Sequence, residues 1–530
     1  MHFDTTSEVV DDPRSAERAL WDRLSVFAGS FDVAAAEDVA ACAMVPRDRV
    51  LQVLVSLVDK SVVLRDGPGG SAGTRYRLLD SLREFAAERL AQAGGETECR
   101  ARHISRYLAM ARRFGRRFAD GDQLERLRQL RAEHDNIRAA LEYAFAGPGW
   151  DRDAAELACV LYGYWHISGS LREGAYWLDK VLVTAAASRE RASALIDRAL
   201  IGAVQGDPEA VAQAREGTRL ATELGDDRLC ARGYLALNLA LTLAGYHAEA
   251  IDAGAQARQR LTAVNSRAGL ICLDAQMGLL YELSGDFDRS VESCQHGLRA
   301  LDAGERWLRS YLHVISALAL YQQPGKEAEC AQALRQGLTA KHEIGDCVGG
   351  AFALELLAWL AADAGRCERA AWLLGSAHSQ WERSGTRLGN NAIMEEFHQR
   401  AVAKAAGALG TARYGSLHAA GAAEPFDGIV LLAVGEADEL TAAAPGAGAG
   451  SRGRADGGLT KREQQIAALV ASGLSNREIG EKLVISKRTV DAHVDHIFAK
   501  LGISSRVQLT VWLRERLPQA RSGQLSRSWS

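Results

Sequence analysis

Residues 459–517 read LTKREQQIAALVASGLSNREIGEKLVISKRTVDAHVDHIFAKLGISSRVQLTVWLRERL, and capping chemistry marks helix starts in them. Thr460 with Glu463, Ser475 with Glu478, and Ser505 with Gln508 each fit the S/T-x-x-E/Q capping box. In that box a hydroxyl and a carboxylate or amide satisfy backbone donors that a helix leaves orphaned. Ser486 supplies a fourth cap without the box partner. Between the caps, Ile466, Leu469 and Val470, then Ile479 and Leu483, then Val490, Val494, Ile497 and Leu501 recur at helical spacing. The expectation is four short helices, the middle two joined by a turn at Val484-Ile485. That is a helix-turn-helix whose second helix, from Ser486 onward, would lie in a DNA major groove. The segment carries ten basic and six acidic residues, a positive surplus in a chain of net charge −4. Lys487, Arg488, Lys500 and Arg506 are the cations expected to attract phosphate.

The order of residues goes further than the charge. The runs LTKRE, ASGLSNREIGEKL, ISKRTVDAHV and IFAKLGISSR closely resemble the LuxR-type helix-turn-helix of bacterial transcriptional regulators, across the whole segment. The resemblance implies that the scaffold helix begins at Ser475-Asn476, with Asn476 among the residues that contact DNA. It also implies that Thr489 and Lys500 approach phosphates, and that Asp491, Ala492 and Asp495 reach base edges. Some members of the family carry lysines where this chain has Asp491 and Asp495, so base preference and affinity are set apart by that difference. In relatives the last helix, here with Val507, Val511, Trp512 and Leu513, pairs two heads across a palindromic site, which implies a homodimer on double-stranded promoter DNA.

Upstream of this head, residues 436–458 contain APGAGAGSRGRADGG, the composition of a flexible linker. Before it, residues 149–435 read as a repeat array with glycine setting the period. Gly169, Gly206, Gly245, Gly285, Gly325 and Gly365 follow one another at near-constant intervals, the last three intervals being identical, and each lies between two helical patterns. Five residues after the last four stand the small residues Ala250, Ser290, Cys330 and Ala370, where close helix packing demands them. A helix-turn-helix unit of this length reads as a TPR-like α-solenoid. Tyr162, Tyr164, Trp165, Tyr176 and Trp177 at its beginning, and Trp359, Trp372 and Trp381 at its end, read as inter-repeat core.

Residues 96–148 are a helical bridge of two helices, the second running Leu124–Phe145. Its adjacent His134 and Asp135 lie on different helix faces without a nucleophile, so helix packing is the expected role. Residues 15–95 give three helices, two short β runs (Val62-Val63-Leu64 and Tyr76-Arg77-Leu78) around DGPGGSAGT, and a helix from Asp80. That succession is a winged helix and, taken alone, a second DNA-binding module. However, LWDRLSVFAGSFDVAAAEDVA, LVDKSVV, RYRLLDSLREFAAERL and AEHDNIRAALEYAF resemble the segment after the nucleotide-binding domain in large STAND-class LuxR ATPase regulators. The resemblance implies a relay that packs on an ATPase, with the solenoid as sensor of a ligand or protein partner. Residues 1–14 and 518–530 are expected to be disordered.

Several activities find no equipment in the sequence. It contains no G-x-x-x-x-G-K-[ST]; Gly325-Lys326 follows Pro324 in a short turn, and GAGSRG at 448–453 lies in linker without a preceding strand. Nine cysteines form no C-x-x-C pair and read as free thiols of a reducing cytoplasm. His493-x-x-His496 has helical spacing but no further ligand. No apolar run approaches the ~20 residues of a membrane span. The expectation is a mainly α, cytoplasmic, non-enzymatic transcription regulator without cofactor or membrane contact. Rival readings are a protein-interaction scaffold with a weakened DNA-binding head, for which Asp491 and Asp495 speak, and a chain that works with an ATPase supplied separately.

Overall fold

The computed structural model describes residues 13–434 apart from 71–72, 117, 119–121, 148, 185–187 and 385–391, and beyond these residues 461–471 and positions 479, 482, 490, 493, 494, 496, 497 and 500. The fold is mainly α, and the chain divides into two compact units, Met1–Ala444 and Pro445–Ser530.

The first unit opens with α1 (Pro13–Leu24), α2 (Val33–Ala40) and α3 (Val50–Asp59), followed by the hairpin β1 (Val63–Gly70) and β2 (Gly73–Leu78) and by α4 (Asp80–Gln92). Pro13 stands at the first helical position, where its missing N–H costs nothing, so α1 starts inside the stretch expected to be disordered. Asp32 caps α2 by accepting from the Ala35 N–H. The helix stops at Ala40, and beyond it Cys42 and Val45 exchange backbone hydrogen bonds of 2.9 and 3.1 Å in a tight loop. Leu20, Leu24, Phe27, Leu54 and Leu57 form the core. The strands pair antiparallel with Val63 opposite Leu78, and Phe31 adds a bridge to Tyr76, completing the winged helix.

The bridge differs from expectation. It consists of α5 (Glu96–Arg116), α6 (Gln123–Ala132) and α7 (His134–Ala146), so the predicted single helix 124–145 is broken at Glu133. Glu133 is buried, and its carboxylate accepts from Arg75 Nη1 (2.7 Å), Tyr107 Oη (2.7 Å) and Asn136 Nδ2 (2.8 Å). Arg75 comes from β2, Tyr107 from α5 and Asn136 from α7. A buried carboxylate left unpaired costs more than a lost helical turn, so the backbone bends to bring the donors to it. Asn136 also bonds the backbone of Gly29 and Ser30, which ties the winged helix to the bridge.

The solenoid follows as α8 (Asp151–Val160), α9 (Tyr162–Ile167) and α10 (Leu171–Thr184), then five helix pairs. These are α11 (Arg189–Gln205) with α12 (Ala210–Glu223), α13 (Asp227–Leu243) with α14 (His247–Ala263), α15 (Arg267–Leu283) with α16 (Phe287–Ala300), α17 (Trp307–Tyr321) with α18 (Glu327–Ile344), and α19 (Cys347–Asp363) with α20 (Cys367–Ser384). The six period-setting glycines all take φ between +72° and +82°, a region closed to most side chains. Asn265 (φ +52°) takes the same left-handed role between pairs that Gly225 and Gly345 take. The small residues Ala250, Ser290, Cys330 and Ala370 are fully buried.

Two further helices, α21 (Ala392–Ala423) and α22 (Phe426–Val434), end the array. The first breaks at Gly410 (φ +73°, ψ +158°) and resumes to Ala423. The resumed half lies backbone to backbone on α20. A β-carbon at Gly375 would stand 1.9 Å from the His418 carbonyl oxygen, and one at Gly421 1.9 Å from that of Trp372. Among the described residues no single helix is long and apolar enough to cross a membrane, although α21 and α22, bent by 118°, pass that test together. The second unit contributes α23 (Lys461–Ala471).

Candidate sensor cavity and DNA-binding head

The first helices of the last four pairs begin at Asp227, Arg267, Trp307 and Cys347, so equivalent side chains recur at one constant spacing along an inner wall. Asp226, Ser266 and Asp346 cap three of them. The wall closes on itself through the bridge. Gln123, fully buried, accepts from the backbone N–H of Arg306 (3.0 Å) and Trp307 (3.2 Å) at the start of α17. Arg131 donates to the carbonyls of Ile344 (2.5 Å) and Gly345 (3.2 Å), at the turn into α19. Unsatisfied carbonyls at a helix end are natural acceptors for such a guanidinium.

The helices line a half-open cavity of about 940 Å³. Phe118 follows α5, Tyr162 and His166 come from α9, Leu235 and Leu239 from α13, Gln276 and Leu279 from α15, Trp307 and Tyr311 from α17, and Phe352 from α19. Behind this surface lies a polar cluster. His166 Nε2 meets Tyr311 Oη at 2.9 Å, and Lys341, whose ammonium lies over the Tyr311 ring, donates to Asp346 Oδ2 at 2.8 Å. Asp346 also accepts from the Gly349 N–H through Oδ1, capping α19. Lys341 and Asp346 are both wholly buried. Burial pushes His166 down to about 4, so its ring is neutral at pH 7; burial also pulls Lys341 down to about 8 against the pull of Asp346.

The aromatics divide between core and cavity. Tyr164, Trp165, Trp177, Trp359 and Trp372 are buried, whereas Tyr162 and Trp381 line the cavity and Tyr176 is exposed. His134 lies between Tyr164 Oη (2.8 Å from Nδ1) and Glu173 (3.3 Å from Nε2), and Asp135 lies against Gly29. His134 packs the bridge on the solenoid and Asp135 packs it on the winged helix. Sequence reasoning did not single out His166, Gln276, Tyr311 or Lys341. The repeat supplied one usable signal: Tyr311 and Ala351 occupy equivalent positions one repeat apart on neighbouring inner helices, and so do Gln276 and Ser316. All nine cysteines are free, and burial pushes the Cys272, Cys294 and Cys330 thiols up to about 12. No group of three metal-ligating side chains occurs among the described residues.

In the second unit, Ile466, Ala467 and Val470 of α23 are buried together with Ile479, Val490, Val494 and Ile497. Six of them, all but Ala467, belong to the capping-delimited pattern; Leu469 of that pattern is half-buried, and Leu483 and Leu501 lie outside the described residues. Val490, Val494 and Ile497 stand four and three apart, one buried stripe of helix. Lys482, His496 and Lys500 are exposed. The Lys500 ammonium sits 2.8 Å from both carboxylate oxygens of Glu463, whose side chain is buried. Asn476, Lys487, Arg488, Thr489, Asp491, Ala492, Asp495 and Arg506, singled out in the sequence for contact with DNA, lie outside the described residues, as do the linker 436–458 and Val507–Leu513.

Comparison with known proteins falls on the same two ends of the chain. Residues 458–513 match the family of bacterial regulatory proteins of the luxR type, and residues 14–91 match a winged helix-turn-helix domain. Proteins of Mycobacterium bovis and Mycobacterium tuberculosis that bear the name HTH-type transcriptional regulator are 26% identical over 659 aligned residues, covering 93% of this chain and 72% of each relative. The oxygen regulatory protein NreC of Staphylococcus aureus is 47% identical over 60 residues, which are 11% of this chain and 28% of that protein. A STAND protein with a tetratricopeptide repeat sensor from Pyrococcus horikoshii aligns with a TM-score of 0.38 and 14% identity, over 79% of this chain and 65% of that one. The chain thus carries a luxR-type regulatory domain at residues 458–513 and a winged helix-turn-helix domain at residues 14–91.

Proposed function

We propose that this chain is a sequence-specific, DNA-binding transcriptional regulator in which the repeat ring is the sensor and the luxR-type domain the output. The observation that carries this reading is the luxR-family match of residues 458–513, in a chain similar along nearly its whole length to HTH-type transcriptional regulators. Asn476, Lys487, Arg488, Thr489, Lys500 and Arg506 meet the DNA backbone, and Asp491, Ala492 and Asp495 face base edges. A carboxylate accepts from the cytosine N4 amine and is repelled by phosphate, so the two aspartates lower general affinity while penalising wrong bases. Two heads pair through Val507, Val511, Trp512 and Leu513. The repeat ring takes a ligand or a protein partner, and its occupancy sets the DNA affinity.

Lys500 has two tasks in this reading. Its ammonium neutralises the buried Glu463 carboxylate and remains partly exposed toward solvent. Lys500→Ala therefore strips a partner from a buried charge as well as a phosphate contact, and Arg506→Ala is the cleaner probe. The test is fluorescence anisotropy of the full chain on genomic fragments recovered by pull-down and on random duplex, across a salt series. Binding to recovered fragments at least ~10³-fold tighter than to random duplex is expected, as for specific DNA binders generally. Arg506→Ala should flatten the salt slope by about 0.9. Equal affinity for all sequences would overturn the regulator reading and leave a protein-interaction scaffold.

A further inference from the structure

The half-open cavity has a charge pattern that the fold itself does not explain. Six arginines and two glutamates line it. Both glutamates are matched within the chain, Glu156 by the fork of Arg112 (2.6 Å twice) and Glu190 by Arg152 (3.5 Å). Arg189 pairs with Asp226 (2.8 Å), Arg267 with Asp302 (3.0 Å), and Arg232 with the buried Asp197. Arg116 and Arg228 remain, both exposed and without an ion pair among the described residues.

The two differ in what the fold gives them. Arg116 ends α5, where the helix dipole favours a cation. Arg228 stands in the first turn of α13, where the dipole disfavours one. Other arginines at this end of the inner helices are compensated in a regular way. Arg189 reaches a carboxylate 37 positions on, Arg267 one 35 positions on, and Arg306 that of Glu343, again 37 positions on. Each ties one inner helix to the chain just ahead of the next. Thirty-seven positions after Arg228 stands Asn265, an uncharged amide that also lines the cavity. Asp226 is taken by Arg189, and Asp227 lies outside the cavity wall. One member of the series thus lacks its carboxylate, and the cation left over borders the cavity. A guanidinium is a planar fork that matches a carboxylate in both geometry and charge.

The rest of α13 sets the remainder of the ligand. Its wall residues Arg228, Arg232, Leu235, Leu239 and Leu243 are four, three, four and four apart, so they form one helix face. That face starts with cations and continues as leucine. From Arg228 to Leu243 it runs roughly 22 Å, at 1.5 Å per residue. The neighbouring α11 has the same polarity, with Arg189, Glu190 and Ser193 on the wall before Leu200 and Val204. A volume of about 940 Å³ is that of a small-molecule site.

We propose that the cavity binds a small molecule with an apolar body and one terminal carboxylate, the carboxylate on Arg228 and the body along Leu235, Leu239 and Leu243. This rests on the sensor role given to the repeat ring above and names the class of compound sensed. One free guanidinium matches one negative charge; a phosphate monoester, with about two, would be left under-compensated.

Displacement of 11-(dansylamino)undecanoic acid, a fluorescent carboxylate on a long apolar chain, tests this on the full chain. The probe should bind saturably at one site. Decanoate should displace it about tenfold better than decanol, the worth of a hydrogen bond to a charged group, and better than decyl phosphate. Arg228→Gln should bring decanoate down to the level of decanol. Asn265→Asp, which supplies the missing carboxylate and keeps Arg228, should weaken decanoate severalfold and leave decanol unchanged. Arg116→Gln should alter neither. The filling variants Leu239→Trp and Leu243→Trp, two in case one fails to fold, should abolish probe binding. Decanol equal to decanoate would overturn the anionic head, and decyl phosphate superior to it would overturn the carboxylate. A preference for the acid that survives Arg228→Gln would overturn the place given to that head. Probe binding that survives the folded filling variants, or no saturable binding at all, would overturn the cavity assignment. Anisotropy on the recovered genomic fragments is read from the same samples. A chain that binds the acid without sequence-selective DNA binding keeps the site and loses the regulator reading.

Discussion

His103 lies on α5 between Phe27 and Tyr107, with ring centroids 5.4 and 4.7 Å away, wholly buried and with neither ring nitrogen hydrogen-bonded. Burial, reinforced by Arg100 and Arg106, depresses it from the usual 6.5 to about 3. The folded chain thus holds the ring neutral, while the unfolded chain protonates it below about 6.5. Stability from this group is complete above that pH and is lost as pH falls toward 3. His103→Phe keeps an aromatic ring and removes the titration. At pH 5 the variant should gain roughly 2 kcal/mol relative to the native chain, against little change at pH 8. Hydrogen exchange of the α1 and α5 amides, compared between the two chains at each pH, checks this; equal protection ratios at both values would refute it. A second residue-scale prediction concerns Asp346, which serves both Lys341 and the start of α19. Asp346→Ala should cost about 3–5 kcal/mol, because it leaves a buried ammonium unpaired, whereas Asp346→Asn, which keeps the cap, should cost less. Denaturant titration of the two variants gives the ordering.

Helices and turns were the most legible level of this protein. The glycine ladder declared itself because a left-handed turn residue is a local need that the sequence must meet locally, and all six glycines take that conformation. The break at Glu133 was not legible. Its cause is Arg75, 58 positions earlier, and no periodicity within 124–145 betrays it. Two glycines separate local from tertiary reasons. A β-carbon at Gly285 meets nothing within 4 Å, so Gly285→Ala should cost only the strain of φ +79°, about 1–2 kcal/mol. Gly375→Ala would drive a methyl into the His418 carbonyl and must push α20 and α21 apart, so its cost should exceed that of Gly285→Ala clearly. Thermal melts of the pair decide it; similar losses would mean that the α20–α21 crossing yields freely.

At the scale of the molecule, the cavity was invisible in the sequence because closure makes it, from side chains that lie as far apart in the chain as Phe118 and Phe352. The wall positions recur in register, and the contacts of Gln123 and Arg131 with α17–α19, together with that of His166 with Tyr311, join the start of the array to its later helices. Arg131→Ala should leave each helix pair intact while loosening the ring. Exchange should rise at α6 and at the Ile344–Asp346 turn, with α13 and α14 unchanged; unaltered protection at α6 would show that packing alone closes it. The head's first helix and the buried positions Val490, Val494 and Ile497 were readable in advance, since capping and periodicity are local.

The closure also imposes a timetable on synthesis. Gln123 and Arg131 leave the ribosome long before the backbone groups they bond, which lie 183 and 214 positions further on. Chain elongation at ~5–20 residues per second therefore leaves the nascent ring open for about 10–40 s. From early in that interval Phe118 and Tyr162, and later Leu235 and Leu279 as they are made, lack the facing wall of the cavity. A chain cut off before residue 345 would therefore keep those apolar side chains without the partners that α17–α19 supply.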